Sequence, residues 1–413
     1  MDPQPEVLGH CDTRFAGVRT EFERNLTERG DVGASVSVTV GGEHVVDLWG
    51  GFRDAERTQP WSQDTLCVVM SCTKGAAALC AHLLASAGEL DFDEPVQAYW
   101  PEFAAAGKER VLVRHLLTHQ AGLPALRDEV KPGGFYDWDH MVERLAAEAP
   151  FWEPGTRHGY HALTFGFLVG EVVRRVSGQS FDTFFASEVA RPLGLDFLVG
   201  LPDSELSRVA TFLPAPLPEP GDAVSEYMLK AFTEPGSIPW LVMQNNGGYL
   251  VPGEWDSPAA LTAVLPSSGG VGNARSLETM YRAIVDGGRI GRFTLEPEDL
   301  ARMGAVQSAV SNDAVLLGPG RWTLGFHKGA ATARGVDPPA RIALSEEAFG
   351  HTGFGGSIGF ADPGAGLSFA YVMNQMAGDM GLGPTGQSLV DATYRALGYR
   401  SSKYDTWVSV RGG

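Results

Sequence analysis

The sequence predicts a mixed α/β (α+β) chain, in which an antiparallel sheet built from both chain ends is flanked by helices and carries an inserted, mostly helical lobe. Strand-like runs surround a Gly-Gly pair at 34–49 and a turn at 357–373, and most helix-forming segments lie between them. The 413 residues also exceed the usual size of a single core. We therefore expect a discontinuous sheet-containing lobe, 1–70 and 320–413, and a mostly helical lobe, 71–319.

The first predicted element is a β-hairpin. Residues 34–40 alternate small or polar residues with β-branched ones, Gly41-Gly42 follows, and 43–49 is again rich in strand-forming residues. Two such runs around a glycine pair are typical of a hairpin.

The predicted helices follow from composition, apolar spacing and end signals. They are 71–87 closed by Gly88, 115–119, 162–176 closed by Gly178, 276–286 with Ser276 as N-cap, and 391–397. Two strands, 357–361 and 367–373, flank an Asp-Pro-Gly turn before the last helix.

A long segment, 213–260, is rich in proline and glycine, with aromatic residues between them. We interpret it as an ordered loop region. Its aromatic residues, among them Trp240 and Tyr249, are candidates for the wall of a substrate pocket. The alternative is that they only pack the loop against the rest of the chain.

Charge and composition exclude several functions. The formal net charge is −18, from 50 acidic and 32 basic residues, so the surface repels phosphate backbones and nucleic-acid binding is not expected. The N-terminal residues lack the basic and apolar parts of a signal peptide. The most apolar stretch, 75–87, is too short to span a bilayer, so no membrane association is expected.

The cysteines indicate the compartment. Cys11, Cys67, Cys72 and Cys80 have neither CxxC spacing nor the density of a disulfide framework. Reduced thiols in a cytoplasmic protein fit best. No paired histidines accompany the three clustered cysteines, so we expect no metal site. We expect no organic cofactor either.

The chemistry centres on Ser71 and Lys74, which begin the first predicted helix. Residues three apart share a helical face, so the lysine amine should lie one turn above the hydroxyl. Serine becomes a nucleophile when a base removes its proton. A neutral lysine is such a base, and burial lowers its pKa by disfavouring the charged form. The helix N-terminus would also favour an oxyanion at Ser71.

The Ser-x-x-Lys pattern has a second interpretation. An N-cap serine followed by a solvated lysine gives the same letters. Val68-Val69-Met70 and Ala76-Ala77-Ala78-Leu79 surround the pair, and this apolar setting argues for a buried lysine. From these residues alone both interpretations stay open.

Five ordered segments give a wider resemblance. They are Leu90–Val96, Leu116–Leu123, Gly159–Ala162, Ser268–Val271 and His351-Thr352-Gly353. With the Ser71–Lys74 tetrad they resemble the serine β-lactamase-related, penicillin-binding-protein-like family, and most of all its family VIII carboxylesterases, which have the class C β-lactamase fold. The resemblance implies a β-lactamase/D,D-peptidase-like fold.

The resemblance also implies site residues. Tyr160 stands at the family's second motif, where the phenolate shares a proton with Lys74 and serves as general base or relay. A tyrosine that only packs at a helix start remains the alternative. The backbone N–H groups of Ser71 and Phe354 would form the oxyanion hole, and Gly353 would line the substrate site.

Two departures from the family pattern bear on the substrate. Ala162 replaces the asparagine of the second motif, and His351 replaces the lysine of the third. In the β-lactamases these side chains hold the amide and the carboxylate of the drug, so their loss suits a neutral ester. His351 lines the pocket in this interpretation; a structural strand residue is the alternative. His115 and His119 are expected to be structural and to hold the loop at Gly122.

The sequence therefore predicts a serine carboxylesterase that hydrolyses small to medium esters through an acyl-enzyme on Ser71. A β-lactamase or D,D-peptidase, or an acyltransferase using the same site, is the alternative, and a non-catalytic binding protein is a further one. The expected partner is a small-molecule ester; the sequence gives no oligomeric state.

Overall fold

The computed structural model describes residues 5–216, 224–329, 342–377, 381–402 and 406–410. Within these ranges the strands are β1 (Val7–Cys11), β2 (Gly33–Val40), β3 (Glu43–Gly51), β4 (Cys67–Val68), β5 (Phe197–Val199), β6 (Gly270–Gly272), β7 (Arg289–Ile290), β8 (Phe293–Thr294), β9 (Ser308–Val310), β10 (Gly320–Trp322), β11 (Phe349–Thr352), β12 (Ile358–Asp362), β13 (Leu367–Met373), β14 (Tyr399–Ser401) and β15 (Trp407–Ser409).

The α-helices lie between these strands along the chain. They are α1 (Ala16–Glu28), α2 (Thr73–Ser86), α3 (Val113–Leu117), α4 (Trp138–Ala147), α5 (Thr164–Ser177), α6 (Phe181–Phe185), α7 (Arg191–Leu193), α8 (Glu226–Thr233), α9 (Ile238–Gln244), α10 (Pro258–Thr262), α11 (Ala274–Val285), α12 (Pro297–Gly304) and α13 (Gly383–Ala396). In the described part of the chain, no helix combines the length and the apolar character needed to cross a membrane.

The main sheet joins the two ends of the chain. Its order is β1-β3-β2-β13-β12-β11, and every pairing is antiparallel. The long pairing of β2 with β13 brings residues 34–40 against 367–373. The predicted fold class is confirmed, and so are the hairpin at Gly41-Gly42 and the two C-terminal strands.

Helices cover both faces of this sheet. Gly359 of β12 faces α11, where an added Cβ would lie 2.6 Å from the Tyr281 ring. The next residue, Phe360, stacks on Tyr394 of α13 on the other face. Because neighbouring strand residues point to opposite sides, β12 and β13 are buried along their whole length.

A second, three-stranded sheet positions the site. Its order is β4-β6-β5. β4 leads directly into the segment before Ser71, and β6 follows Ser267 and Ser268. Helix α2 runs from this sheet through the core, and 12 of its 14 residues are buried. A helix that is apolar all round in this way is typical of a central core helix.

The segment 213–260 differs from the prediction. The interpretation as one loop region is wrong for 226–233, 238–244 and 258–262, which are helices α8, α9 and α10. Serine N-caps begin all three, and Pro239 and Pro258 lie in the first turns, where a missing N–H costs no helical hydrogen bond. Residues 217–223 of this segment lie outside the described residues.

One predicted cap is also wrong. Asn273, rather than Ser276, caps α11 and accepts a hydrogen bond from the Ser276 N–H at 2.9 Å. Helix α11 falls within the predicted helical lobe, yet it packs on the main sheet. The division into lobes at 1–70 with 320–413 and at 71–319 stays a prediction.

Candidate active site

Ser71 lies in a tight 3₁₀ turn, Met70–Cys72, that leads into α2. Met70 has a φ of 48°, a left-handed conformation that a side chain other than glycine adopts at a cost of about 1–3 kcal/mol. The turn leaves the Ser71 side chain partly exposed while both neighbours are buried. The backbone therefore presents one hydroxyl at the surface of an otherwise closed core.

The Lys74 amine is fully buried and has three oxygen neighbours. Its Nζ lies 3.0 Å from Ser71 Oγ, 2.6 Å from the Ala162 carbonyl oxygen and 2.9 Å from the Ser267 carbonyl oxygen. Burial holds the pKa of Lys74 well below its ordinary value. The solvated-lysine interpretation of the tetrad is therefore wrong.

These three contacts fix the geometry of the neutral amine. A neutral amine has two N–H groups and one lone pair. Since the two carbonyl oxygens are acceptors only, they take both N–H groups, and the lone pair is left facing Ser71. The arrangement can thus accept the proton of the Ser71 hydroxyl without rotating the side chain.

Tyr160 lies beside the Lys74 amine. Its ring centre is 4.9 Å from the Lys74 Nζ. Burial raises the pKa of Tyr160, and a hydrogen bond with the Ser71 hydroxyl acts in the opposite direction but is smaller. Burial therefore favours a neutral phenol beside a neutral amine. The family resemblance instead implied a phenolate that shares a proton with Lys74.

The turn that carries Tyr160 is tied to two neighbouring segments. The Gly159 N–H donates to the His119 carbonyl oxygen at 3.0 Å, and the His161 N–H donates to His119 Nδ1 at 3.1 Å. The Tyr160 N–H donates to Asp313 Oδ1 at 3.1 Å. His119 is structural, as expected, but it holds the Tyr160 turn. His115 Nδ1 instead accepts the Leu112 N–H at the start of α3.

The end of β11 packs against the Ser71 turn. A Cβ on Gly353 would lie 2.3 Å from the Val69 carbonyl oxygen, so only glycine fits. The Cys72 thiol donates to the His351 carbonyl oxygen at 3.3 Å. Within the described ranges, the backbone N–H groups of Ser71 and Phe354 donate no hydrogen bond. Both predicted oxyanion donors are therefore left without a protein acceptor.

His351 is buried beside Tyr160, with ring centres 6.0 Å apart. Its Nδ1 lies 2.7 Å from the Thr352 carbonyl oxygen and must donate to it, which leaves an unprotonated Nε2 without a partner among the described residues. Burial holds the pKa of His351 well below its ordinary value. At neutral pH this side chain carries no charge.

An apolar and aromatic cluster surrounds Tyr160. Trp322 stacks on the Tyr160 ring at 5.3 Å. The other buried members are Ala125, Trp152, Tyr227, Leu241, Val242 and Val315. Trp240 is half-buried against this cluster. Tyr249 is not part of it: its hydroxyl donates to Ser268 Oγ at 2.9 Å, and its ring packs beside Phe135 in the main core.

Several residues of the site were absent from the sequence prediction. Ser267 acts through its carbonyl oxygen, which any residue type supplies, so no sequence signal identifies it. Ala162 was singled out for its side chain, whereas the contact with Lys74 comes from its carbonyl oxygen. Asp313 lies in a turn-forming Ser-Asn-Asp run that indicates a loop but not its neighbour. Trp322 lies in no sequence motif that points to the site.

Comparisons with known proteins agree with this fold. The family model described as Beta-lactamase matches residues 20–392. The chain therefore belongs to the β-lactamase family, and the predicted resemblance is confirmed.

The similar proteins include one named relative and two solved structures. The chain is 36% identical to "Esterase/beta-lactamase LipL" of Mycobacterium tuberculosis (strain ATCC 25618 / H37Rv), over 91% of this chain and 84% of the relative. It is similar to a solved family VIII carboxylesterase, with a TM-score of 0.81 and 39% identity over 95% of this chain and 100% of that one. A penicillin-binding protein homologue from Caulobacter crescentus gives a TM-score of 0.80 and 36% identity over 95% of this chain and 100% of that chain.

Proposed function

We propose that the protein is a serine carboxylesterase that hydrolyses small to medium esters through an acyl-enzyme on Ser71. The observation that carries the proposal is the buried Lys74 amine, 3.0 Å from Ser71 Oγ, with both its N–H groups occupied by carbonyl oxygens. The names of the relatives, an esterase/β-lactamase and a family VIII carboxylesterase, support the same reaction class.

In the proposed acylation, Ser71 Oγ attacks the ester carbonyl carbon while its proton passes to the Lys74 Nζ lone pair. The carbonyl oxygen becomes an oxyanion between the Ser71 and Phe354 N–H groups. Two such aimed donors are worth several kcal/mol in a site that excludes water.

Tyr160 completes the proton transfer. The C–O bond of the ester breaks, and the leaving alkoxide takes the phenol proton. The resulting phenolate recovers a proton from the Lys74 ammonium, which returns the amine to its neutral form. A phenol whose pKa is raised by burial is protonated at neutral pH and is therefore ready to act as this acid.

Deacylation reverses the proton path. Water replaces the alcohol, gives a proton to the Tyr160–Lys74 pair and attacks the acyl carbonyl. Ser71 then leaves with a returned proton. No step in this proposal requires a metal or an organic cofactor.

The proposed substrate is neutral. His351 carries no charge where the β-lactamases have a lysine, and Ala162 offers a methyl group where they have an amide side chain. The cluster around Tyr160 is apolar and aromatic. An anionic acyl group would find no fixed cation at these two positions, so esters without charge are favoured.

A second candidate is β-lactam hydrolysis at the same site. The name of the 36% identical relative includes both activities. The same acyl-enzyme chemistry would open a β-lactam ring, and the loss of the two recognition side chains predicts that this reaction is the slower one. Acyl transfer to an alcohol and a cytoplasmic location both stay predictions.

The test is hydrolysis of short-chain p-nitrophenyl esters by the wild type and by Ser71→Ala. We expect turnover by the wild type and a loss of at least about a thousandfold in the variant. Ser86→Ala, at the far end of α2, is the matched control and should keep full activity. Rapid opening of a cephalosporin with no ester turnover would replace the esterase proposal with the second candidate.

A further inference from the structure

We propose that Asp313 is a positioning residue for Tyr160: its buried carboxylate accepts a hydrogen bond from the Tyr160 N–H and fixes the backbone of the Tyr160 turn. The inference rests on the proposed function, in which Tyr160 donates the proton to the leaving alcohol. Asp313 lies about 150 residues from Tyr160 in the chain.

One oxygen of Asp313 organises two loops. Oδ1 accepts the N–H groups of Tyr160 at 3.1 Å, Val315 at 2.7 Å and Leu316 at 2.8 Å. Two of these donors belong to the loop of Asp313 itself and fix the carboxylate in place. The third belongs to the Tyr160 turn, so the rigid loop determines where the Tyr160 backbone begins.

A second contact strengthens the same junction. The Ala314 N–H donates to the His158 carbonyl oxygen at 3.0 Å, two residues before Tyr160. With the Asp313 bond it forms two consecutive links between the loops. A shift of the 313–316 loop must therefore move Tyr160.

The other oxygen of Asp313 lies beside the imidazole of His158. Oδ2 accepts no hydrogen bond among the described residues and lies 3.4 Å from His158 Nε2, which is equally unpartnered. Neither side chain is exposed to solvent. Gly320 closes the space above, since a Cβ there would lie 2.8 Å from His158 Nε2. A buried carboxylate with an unused oxygen is costly, which indicates a role beyond holding a loop.

The hydrogen bond acts on the transfer of the phenol proton. By fixing the Tyr160 N–H, it sets the position from which that proton is given. The effect falls on leaving-group departure and not on the attack by Ser71.

The leaving group of the substrate separates this role from a general loss of structure. A p-nitrophenolate leaves without being protonated, whereas the ethoxide of an ethyl ester needs a proton donor. We compare kcat/KM for p-nitrophenyl butyrate and ethyl butyrate in Asp313→Ala, Asp313→Glu and Asp313→Asn. Tyr160→Phe is the reference for loss of the acid. Asp362→Asn, a buried aspartate that also accepts a backbone N–H, is the control.

We expect Asp313→Ala and Asp313→Glu to lose about 10- to 100-fold more kcat/KM on ethyl butyrate than on the activated ester, as Tyr160→Phe does. Asp313→Asn keeps an acceptor oxygen and removes the charge, so it should stay within about threefold of the wild type on both esters. Asp362→Asn should leave the ratio of the two esters unchanged.

Equal losses on both esters in Asp313→Ala and Asp313→Glu would overturn the inference, and so would an Asn variant as impaired as the Glu variant. If Asp313→Ala does not fold, the comparison of Glu with Asn decides. Failure of the proposed function is separate, because it would appear as a wild type that hydrolyses neither ester.

Discussion

The Lys74 side chain shows how a charge-bearing residue is kept neutral in a folded protein. Its two carbonyl acceptors come from Ala162 and Ser267, which are far from it in sequence. They satisfy the N–H groups of an amine, but they lack the formal charge needed to compensate a buried ammonium. The environment therefore lowers the pKa while it keeps the amine hydrogen-bonded.

This account predicts the outcome of Lys74→Arg. A guanidinium remains protonated at any ordinary pH and cannot accept the Ser71 proton. We expect kcat for p-nitrophenyl butyrate to fall by about a hundredfold or more, although the two side chains are similar in length. Lys230→Arg, on the surface of α8, is the matched control and should be silent. An active Lys74→Arg enzyme would show that a cation, and not a base, is needed.

The site residues differ in how far the sequence identifies them. Spacing along one helix linked Ser71 to Lys74, because residues three apart share a face whatever the fold. Resemblance supplied Tyr160. Asp313 and Trp322 were out of reach, since only the packing of distant loops brings them to the phenol. Tyr249 was singled out for its composition, yet its hydroxyl bonds to Ser268 and its ring lies in the core.

At the scale of elements, the strand β11 and the Ser71 turn form one unit. Gly353 packs against the Val69 carbonyl oxygen, and the Cys72 thiol donates to the carbonyl oxygen of His351 in β11. The relative position of the Ser71 and Phe354 N–H groups depends on this contact. Backbone contact of this kind is invisible in a sequence except as a glycine.

Gly353→Ala tests the contact. An added methyl would lie 2.3 Å from the Val69 oxygen, so the strand and the turn must separate. We expect kcat to fall by about a hundredfold with a smaller change in KM, since the donors serve the transition state. Gly17→Ala in α1 meets no atom within 4 Å and is the control. Unchanged kcat in Gly353→Ala would remove Phe354 from the oxyanion hole.

The connection between helix α1 and strand β2 meets strand β13 at a buried ionisable pair. Asp31 accepts a hydrogen bond from the Tyr371 hydroxyl. Burial raises the pKa of Asp31 to about 7. Because the folded pKa exceeds the unfolded one, the protonated form stabilises the fold, and this stability is lost as pH rises towards and through 7.

Asp31→Asn should therefore remove a pH dependence. The amide resembles the protonated acid, so the stability advantage of the variant over the wild type should grow between pH 5 and pH 8 by at most about 3 kcal/mol of unfolding free energy. Denaturant unfolding at the two pH values measures the difference. Asp64→Asn, at an exposed position, is the control. An advantage that does not grow between the two pH values would contradict the assignment.

The helices of 226–262 show why a local pattern failed. Proline was counted as a signal of irregular structure, but at the first turn of a helix it stabilises the start. The helices α8, α9 and α10 are short, from five to eight residues, and leave little periodicity to detect. Only their serine caps carried the information.

At the scale of the whole molecule, the sheet requires both chain ends. Strands β2 and β13 are central neighbours, although more than 300 residues separate them. The sequence allowed this architecture to be predicted because each end holds an unmistakable strand pair, and the helices lie between them. The extent of each lobe was harder to infer, since α11 falls between helical segments but covers the sheet.

The site lies where these parts meet. The three-stranded sheet supplies the start of α2, the main sheet supplies β11, and the helical segments supply Tyr160 and its aromatic neighbours. Ser71 lies at the junction of these three parts. The account as a whole therefore depends on covalent chemistry at that hydroxyl.

Intact-mass spectrometry of the wild type, quenched within milliseconds of mixing with p-nitrophenyl butyrate, tests this dependence most directly. The account predicts a single added butyryl group, mapped to the peptide that contains Ser71, and no adduct in Ser71→Ala. An adduct on any other residue, or ester turnover that persists undiminished in Ser71→Ala, would contradict it.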